Sequence, residues 1–404
     1  MGKIVLVTGA ARQLSGRFVR RIQRDPGVDR VIAVDAVSPG HQLGDAEFVL
    51  ADIRQSAIAR VLAEHSVDTV VHLDVSAKAL GTGGRTTAKE TNVIGTMQLL
   101  GACQKSPSVQ RLVVKSSTSV YGSAPRDPAV FTETTPPKSL PSGGFAKDAV
   151  EVEGYVRGFA RRRPDVAVCV LRFANILGPD PDSPLADYLA LPVLPTVLGY
   201  DPRLQFVHED DVVDVLEIAA REPRRGTLNS GTFNIAGDGV LLLSQCSRRL
   251  GRPTVPLLLP AVTWVGTALR TVGMTDFSPE QIRLLTHGRV VSTVQMRETL
   301  GFRPKFTTAG TFAEFARSRG PGPAASRAGG QGGRAAGRAA DGRGAGRHDT
   351  FDARRQVEEC DRRWRTPRSF PSTTTVRAPA RAGAEVRCRA AAGPRGPRRP
   401  APRP

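Results

Sequence analysis

The sequence predicts an α/β fold built on a doubly wound parallel sheet, and three observations carry this prediction. Short runs rich in valine, isoleucine and leucine recur through the first 174 residues, and amphipathic helical stretches separate them. Strands covered on both faces give such continuous apolar runs, and right-handed crossovers through helices connect them. From residue 175 the pattern loosens into proline-rich loops and short helices, which predicts a smaller second lobe that ends near residue 319.

The predicted elements alternate regularly along the chain. The expected strands are KIVLVTG at 3–9, RVIAVDA at 30–36, EFVLAD at 47–52, DTVVHLD at 68–74, QRLVVKSS at 110–117 and VAVCVLRF at 166–173. The expected helices lie at 15–24, 56–65, 86–105 and 145–163. We therefore expect a sheet domain over 1–174, an interleaved second lobe over 175–319 and a tail over 320–404.

The cysteine content and the apolar segments indicate the compartment in which the protein is expected. Five cysteines occur without a CxxC pair or a metal-ligand spacing, which favours reduced thiols and argues against a disulfide framework or a zinc site. The N-terminal MGKIVLVTGAA reads as a buried strand rather than a signal peptide. The apolar stretch that starts at Val255 is interrupted by prolines, Gly266 and Arg270, so it predicts a buried or interfacial helix. We expect a cytoplasmic protein without a membrane span.

Most of the net charge of +19 lies in the tail. From residue 321 to the end the chain has 19 arginines, no lysine and seven acidic residues. This segment also lacks leucine, isoleucine and methionine, so we expect it to be disordered. Three interpretations stay open: a passive tail, an arginine-rich arm for RNA or anionic lipid, and an out-of-frame extension of a GC-rich gene. The body is only mildly basic, which makes nucleic acid an unlikely partner.

The loop after the first strand predicts a phosphate-binding turn. VTGAARQLSGR follows this strand and opens a helix, so Thr8 and Gly9 would form the turn while Arg12 and Leu14 stand at the helix N-terminus. Free N–H groups at such a terminus bind pyrophosphate. The glycine pattern is imperfect, because Arg12 and Ser15 occupy positions where glycines are usual. A ligand-free strand–helix turn would give a similar pattern.

Three further features follow in the order expected of an NAD site. Asp35 ends the second strand, where a carboxylate binds the ribose diol of NAD and repels the extra phosphate of NADP. A helix cap or a solvated aspartate is the alternative interpretation. Asp52 and Ile53 follow the third strand and would flank the adenine. HLDVSA, which includes Leu73, follows the fourth strand and would line the nicotinamide half.

Further motifs give the chain a family resemblance over about residues 3–319. VTGAA, VIAVDA and ADIR are joined by ETNVIGT, VVKSSTSVYG, FTETTPP, LRFANILGP, FVHEDDVVDV, TFNIAGDG and MRETLGFRP. Together they resemble the extended short-chain dehydrogenase/reductases, the NAD-dependent epimerase/dehydratase family that acts on nucleotide sugars. The resemblance implies a Rossmann-type NAD-binding domain, a nucleotide-sugar-type substrate and a possible homodimer formed through the two long helices.

The resemblance also implies roles for individual residues. Asn92 corresponds to the asparagine of the family's helix motif and is expected near the cofactor. Ser117 corresponds to the serine or threonine that acts on the substrate, and Thr118, Asn175 and Arg203 are expected to bind the substrate. No metal is implied.

The catalytic motif departs from the family pattern. In YxxxK the lysine aligns with Lys147, which Glu151 supports, but Gly143 stands at the tyrosine. Lys147 is expected to hold the nicotinamide ribose and to take part in catalysis with Ser117. Oxidation of a sugar carbinol requires a group that takes the hydroxyl proton, and glycine has none. Tyr121 belongs to a turn that is usually structural, and Tyr155 lies about two helical turns beyond Lys147.

Three functions follow from this pattern. The leading hypothesis is an NAD-binding epimerase/dehydratase-like oxidoreductase with an altered proton-transfer group. The second is a non-catalytic dinucleotide-binding or interaction protein of the same fold. The third and weakest is a nucleic-acid-associated protein that acts through its tail.

Overall fold

Seven parallel strands form the main sheet among the residues that the structure, a computed structural model, describes: 2–78, 84–136, 140–221, 229–259, 261 and 278–320. In chain order the strands are β1 (Lys3–Thr8), β2 (Val28–Asp35), β3 (Glu47–Leu50), β4 (Thr69–His72), β5 (Arg111–Ser117), β6 (Ala167–Phe173), β7 (Asn175–Leu177), β8 (Leu194–Val197), β9 (Arg203–Leu204), β10 (Phe206–His208), β11 (Gly231–Ile235), β12 (Leu241–Leu242) and β13 (Thr254–Leu257). The main sheet has the order β11-β6-β5-β4-β1-β2-β3.

Helices connect and cover these strands. They are α1 (Gln13–Ile22), α2 (Ala57–Glu64), α3 (Gly84–Lys89), α4 (Thr96–Lys105), α5 (Gly144–Arg162), α6 (Pro184–Ala190), α7 (Glu209–Ala220), α8 (Leu243–Leu250), α9 (Pro279–His287), α10 (Val294–Glu298) and α11 (Thr308–Ser318). A π-helical segment, Glu90–Gly95, joins α3 to α4. The predicted doubly wound α/β class is confirmed.

The main sheet is buried on both faces, as its apolar strands predicted. Val5 and Val7 of β1 belong to a core on one face that includes residues of α1 and α7. Leu6, which lies between them, belongs to a core on the opposite face with residues of α2, α4 and α5. Each fully buried aliphatic side chain contributes about 1.5–3 kcal/mol, so both layers stabilise the sheet.

The chain returns to this sheet after leaving it. β11 comes from the TFNIAGDG motif and pairs in parallel with β6, where Phe233 stands opposite Leu171. A separate core holds the second lobe together and includes Tyr188 of α6, Phe206 of β10 and Phe312 of α11. β11 therefore joins the main sheet, although it follows the predicted boundary at residue 174.

The apolar segment from Val255 differs in part from the prediction. Its first residues belong to β13, which pairs in parallel with β8, so this portion is a strand rather than a helix. Residues 262–277 and the arginine-rich tail from 321 lie outside the described residues. Within the described part of the chain, no helix combines the length and apolarity that a membrane crossing requires.

Candidate functional site

The candidate site lies where the strand order reverses, between β1 and β4. Parallel sheets bind ligands at the carboxyl ends of their strands at this kind of switch point. Gly9 makes the turn out of β1 with φ of +74°, and a Cβ at this position would lie 3.0 Å from the Cα of Asp74. Only glycine allows both this conformation and this close approach.

Three adjoining cavities form one groove along this edge. The β2 pocket is lined by Asp35, Asp52, Ile53, Asp74 and Asn92, among others. The central groove is lined by Ala11, Arg12, Leu14, Arg17 and neighbouring residues. The β5 pocket is lined by Ser117, Phe145, Asn175, Arg289 and neighbouring residues. Arg12 lines the first two cavities, and Ser76, Lys115 and Asp182 line the last two, so neighbouring cavities share walls.

The β2 pocket contains the predicted acid of the second strand. The Asp35 carboxylate is buried and accepts hydrogen bonds from the backbone N–H groups of Ala11 (2.9 Å) and Val37 (3.2 Å). Asp52 forms a bidentate pair with Arg54, and this hydrogen bonding lowers the pKa of the Asp52 carboxyl. Ile53 contributes an apolar side chain to the lining of the same pocket.

Asn92 is a buried structural link beside the β2 pocket. Its amide accepts from the N–H of Ser76 and donates to the carbonyl of Ser76, both at 2.9 Å. The same amide donates to Asp148 at 3.0 Å. Asn92 lies in the π-helical segment, a conformation that is frequent at functional sites. It therefore fixes the chain after β4 against the start of α5.

Arg12 crosses from the β2 pocket to the central groove. Its guanidinium donates to the carbonyl of Lys78 (2.5 Å) and to Asp182 (2.8 Å), and it lies 3.9 Å from Asp74. The side chain of Arg12 does not cap α1, and the first turn of α1 has no acidic residue. The N–H groups at this helix terminus and the Arg12 cation therefore favour an anion in the central groove.

Asp74 places a further carboxyl group in the β2 pocket. Burial, followed by repulsion from Asp35, raises the pKa of the Asp74 carboxyl to about 6, and the nearby Arg12 opposes the shift. The carboxylate is therefore costly to keep ionised, and Arg12 stabilises it.

The β5 pocket contains two of the predicted substrate residues. Ser117 is partly buried, and its hydroxyl accepts a hydrogen bond from the N–H of Ser119. Asn175 donates a long hydrogen bond (3.4 Å) to the carbonyl of Gln205. Arg289 reaches the same pocket from the second lobe, and burial lowers the pKa of its guanidinium to about 10.

Besides Thr8 and Gly9, four predicted residues do not line the three cavities. Thr118 is buried in the turn Thr118–Tyr121, and Arg203 is exposed. The side chain of Leu73 packs in the core, and its N–H donates to the hydroxyl of Thr8. Lys147 is 47% exposed, and its ammonium lies 3.8 Å from Glu151.

Thr8 lies beneath the groove rather than along it. Its hydroxyl hydrogen-bonds to the buried ring of His72 at 2.7 Å. This contact ties the end of β1 to the end of β4, so Thr8 supports the turn that carries Gly9.

The chain's four tyrosines all lie among the described residues, and none lines the β5 pocket. Tyr121 is buried, donates to Asn234 and accepts from Arg172. Tyr188 is buried and donates to the carbonyl of Pro195. Tyr155 and Tyr200 are exposed. No tyrosine therefore lies beside Ser117 in this arrangement.

Three site residues were not singled out from the sequence: Lys115, Asp182 and Arg289. Lys115 had a visible signal, since a lysine inside the buried strand RLVVKSS is unusual. Asp182 and Arg289 come from loops of the second lobe, whose positions depend on tertiary packing. No local pattern identifies them.

Comparison with known proteins matches residues 5–236 to the NAD dependent epimerase/dehydratase family. An uncharacterized protein of Mycobacterium tuberculosis is 47% identical over 322 residues, which are 79% of this chain and 84% of that protein. A probable UDP-arabinose 4-epimerase of Oryza sativa is 28% identical over 200 residues, which are 45% of this chain and 47% of that protein.

Solved structures share the fold. The UDP-glucose 4-epimerase of Thermotoga maritima, solved with UDP-glucose, superposes with a TM-score of 0.59 at 20% identity, over 78% of this chain and 98% of that one. The UDP-glucuronic acid 4-epimerase of Bacillus cereus, solved with NAD, gives 0.58 at 15% identity, over 78% and 98%.

Proposed function

Because the chain belongs to the NAD-dependent epimerase/dehydratase family, we propose that it binds NAD along the groove and acts on a nucleotide-sugar-type substrate, with a proton-transfer group other than tyrosine. One observation carries the proposal. A single groove runs from a buried carboxylate, Asp35, past an uncapped helix N-terminus to Ser117 and Asn175. Asp35 would face the adenosine ribose of a dinucleotide, the N-terminus of α1 its pyrophosphate, and Ser117 with Asn175 its reactive nicotinamide end.

The donor set of the groove fits NAD. Asp35 would accept the hydroxyls of the adenosine ribose, and its negative charge disfavours a 2′-phosphate. Ile53 would contact the adenine. The N-terminus of α1, with Arg12, would hold the pyrophosphate. Lys147 would hold the nicotinamide ribose if its ammonium turns from Glu151 into the groove.

The β5 pocket would receive the sugar. Ser117 would hydrogen-bond the oxygen at the reacting carbon, and Asn175 would position the sugar beside it. Buried Arg289 supplies a positive charge suited to a substrate phosphate. Bound NAD would accept a hydride from the carbinol carbon, while the protein takes the hydroxyl proton.

Loss of the Asp35 carboxylate is expected to weaken NAD binding by roughly 10- to 100-fold, since a hydrogen bond to a charged group contributes about 1.5–3 kcal/mol. Isothermal titration calorimetry on Asp35→Ala measures this change. Asp45→Ala is the matched control, because Asp45 is exposed and outside the groove. Wild-type protein that neither contains nor binds NAD would contradict the proposal.

The second candidate function is a non-catalytic dinucleotide-binding protein. It is favoured by Gly143 together with the absence of a tyrosine from the β5 pocket. Incubation of the NAD-loaded protein with a panel of nucleotide sugars separates the two functions. NADH absorbance or an epimerised product supports the enzyme, whereas NAD binding without either supports the non-catalytic protein.

Gly143→Tyr is expected to fold and to raise turnover, by up to the roughly 10²- to 10⁴-fold that a positioned acid–base group contributes. Gly143 has an extended backbone with φ of −166°, and a Cβ there meets no atom within 4 Å among the described residues. Turnover and thermal stability are the measurements.

Gly144→Tyr serves as the control for this substitution. Gly144 has φ of +62°, so a side chain there strains the backbone. We expect lower stability and no gain in turnover. Unchanged turnover in Gly143→Tyr would show that this position does not face the reacting carbon.

A further inference from the structure

We propose that Lys115 is the group that exchanges the substrate's hydroxyl proton in the β5 pocket. This inference rests on the proposed function and names the group that the function requires. Lys115 would act in place of the tyrosine that Gly143 removes.

Lys115 lies on β5, the strand that also carries Ser117. Lys115 and Ser117 are two residues apart on one strand, so their side chains project from the same face, about 7 Å apart along the strand. Both line the β5 pocket, and Lys115 also lines the central groove. Lys115 therefore stands at the junction where the nicotinamide end of the cofactor and the sugar would meet.

Within the part of the chain that the structure describes, Lys115 Nζ forms no hydrogen bond and no ion pair. The nearby Lys78, in contrast, pairs with Asp182 and Asp187. Lys115 follows three buried aliphatic residues of β5 and is itself half-buried, and removing an ammonium from water is costly. A structural ion pair does not account for that cost here, whereas a role toward a ligand does.

The other titratable groups of the β5 pocket are already engaged. Glu280 pairs with Arg283 at 3.4 Å. Asp182 pairs with Arg12 and Lys78. Arg289 donates to the carbonyl of Gly122 and to the hydroxyl of Ser123, and a guanidinium stays protonated in the neutral range. Lys115 is thus the titratable side chain of this lining that remains available for proton transfer.

The electrostatic surroundings suit this role. Burial, followed by repulsion from Arg12 of α1, lowers the pKa of Lys115 to about 8, and Asp182 and Asp74 oppose the shift. His72 of β4 also faces this region and is neutral, because burial lowers the pKa of its ring to about 3. A substantial fraction of Lys115 is therefore the neutral amine near pH 8, and this form accepts a proton.

The proton step balances with the reaction that NAD supplies. In the oxidative direction the O–H bond of the carbinol breaks, and the neutral amine of Lys115 becomes an ammonium. The electron pair of that O–H bond would form the second bond of the carbonyl as the C–H bond breaks, and NAD, when bound, would supply the acceptor for the hydride. In the reductive direction the ammonium returns the proton as the carbonyl regains the hydride.

Lys115→Arg tests this role, because arginine keeps the positive charge but does not release its proton near neutral pH. We expect turnover on the substrate found in the nucleotide-sugar panel to fall by about 10²- to 10⁴-fold. The NAD dissociation constant should stay within about threefold, since the charge beside the central groove is retained. Lys105→Met, at the exposed end of α4, is the control and should keep wild-type turnover.

Two further measurements distinguish proton transfer from a structural role. Added methylamine should partly restore turnover in Lys115→Ala, with the rate rising as the neutral amine concentration rises. NMR of the reductively ¹³C-methylated holoprotein should show one lysine that titrates near pH 8, and this signal should be missing in Lys115→Arg. The second readout does not depend on turnover.

The outcomes separate this inference from the proposed function. An active wild type with an equally active Lys115→Arg, or lysines that all titrate near their usual pKa, would overturn the role of Lys115 and leave the proposed function intact. A wild type that binds NAD but converts no nucleotide sugar would overturn the catalytic function and this inference together.

Discussion

Replacement of Glu153 by alanine is expected to lower the free energy of unfolding by about 3–5 kcal/mol, the usual cost of removing one partner from a buried ion pair. Glu153 of α5 is buried and forms a bidentate pair with Arg172 of β6 at 2.8 and 2.6 Å. It also accepts a hydrogen bond from Ser116 of β5. Without the carboxylate, the guanidinium of Arg172 would remain buried and largely uncompensated.

The same network extends beyond Glu153. Arg172 donates to the hydroxyl of Tyr121 and lies over its ring at 4.9 Å. Tyr121 in turn donates to Asn234 of β11. Loss of the Glu153 carboxylate should therefore weaken a network that links α5 with β5, β6 and β11, and not only the pair with Arg172.

Urea denaturation measures the free energy of unfolding of Glu153→Ala and of a control variant, Arg157→Ala, which removes another partner of the same carboxylate. Arg157 lies 3.6 Å from Glu153, but its side chain is 61% exposed. Exposed pairs contribute about 0–1 kcal/mol, so Arg157→Ala should change stability by less than about 1 kcal/mol. Equal losses in the two variants would show that burial does not determine the contribution of Glu153.

The second large effect is a fall in the free energy of unfolding at acidic pH, which we expect from protonation of His72. Nε2 of His72 lies 2.8 Å from the hydroxyl of Thr96, which donates onward to the carbonyl of Asn92. Nε2 therefore carries the proton, and Nδ1 accepts from the hydroxyl of Thr8. Both ring nitrogens are satisfied only while the ring is neutral.

Burial lowers the pKa of the His72 ring from 6.5 to about 3. Below pH 6.5 the unfolded chain binds a proton that the folded chain does not, so stability falls as pH falls. The loss attributable to His72 should reach about 2 kcal/mol at pH 5 and continue to grow down to about pH 3.

His72→Gln provides the comparison, because glutamine does not titrate. Relative to wild type, this variant should be less stable at pH 7 and should regain about 2 kcal/mol of that difference by pH 5. Asp74 has a raised pKa and stabilises the fold as pH falls from about 6 to 3.8, so the two proteins must be compared at each pH. If the free energy of unfolding changed with pH equally in wild type and His72→Gln, His72 would not be the source of the loss in acid. His65→Gln is the control substitution.

The sequence allowed the sheet and part of the lining of the groove to be predicted. Strands such as VIAVD and RLVVKSS are buried on both faces, so their composition reports their surroundings directly. Asp35, Ser117 and Asn175 follow from their positions at or beside strand ends. Their places in the groove follow from the strand order.

Other features depended on contacts distant in sequence. The pattern of β11 does not show that it pairs with β6, because an apolar strand of five residues fits either lobe. Lys147 fits the family motif, but its orientation toward Glu151 depends on how α5 begins after Gly143. In the groove Asp182 bonds to Arg12, 170 residues earlier, and pairs with Lys78, and no local pattern in the sequence reports these contacts.

Arg12 offers one guanidinium to two sets of oxygen atoms. It now donates to Asp182, two residues before α6, and to the carbonyl of Lys78. A pyrophosphate in the central groove would compete with Asp182 for these donors, so occupancy would weaken the bond that ties the loop before α6 to the loop after β1. If the pyrophosphate displaces Asp182 from Arg12, hydrogen exchange at the start of α6 should become faster when NAD is added. Binding of NAD would then control the mobility of the loop before α6.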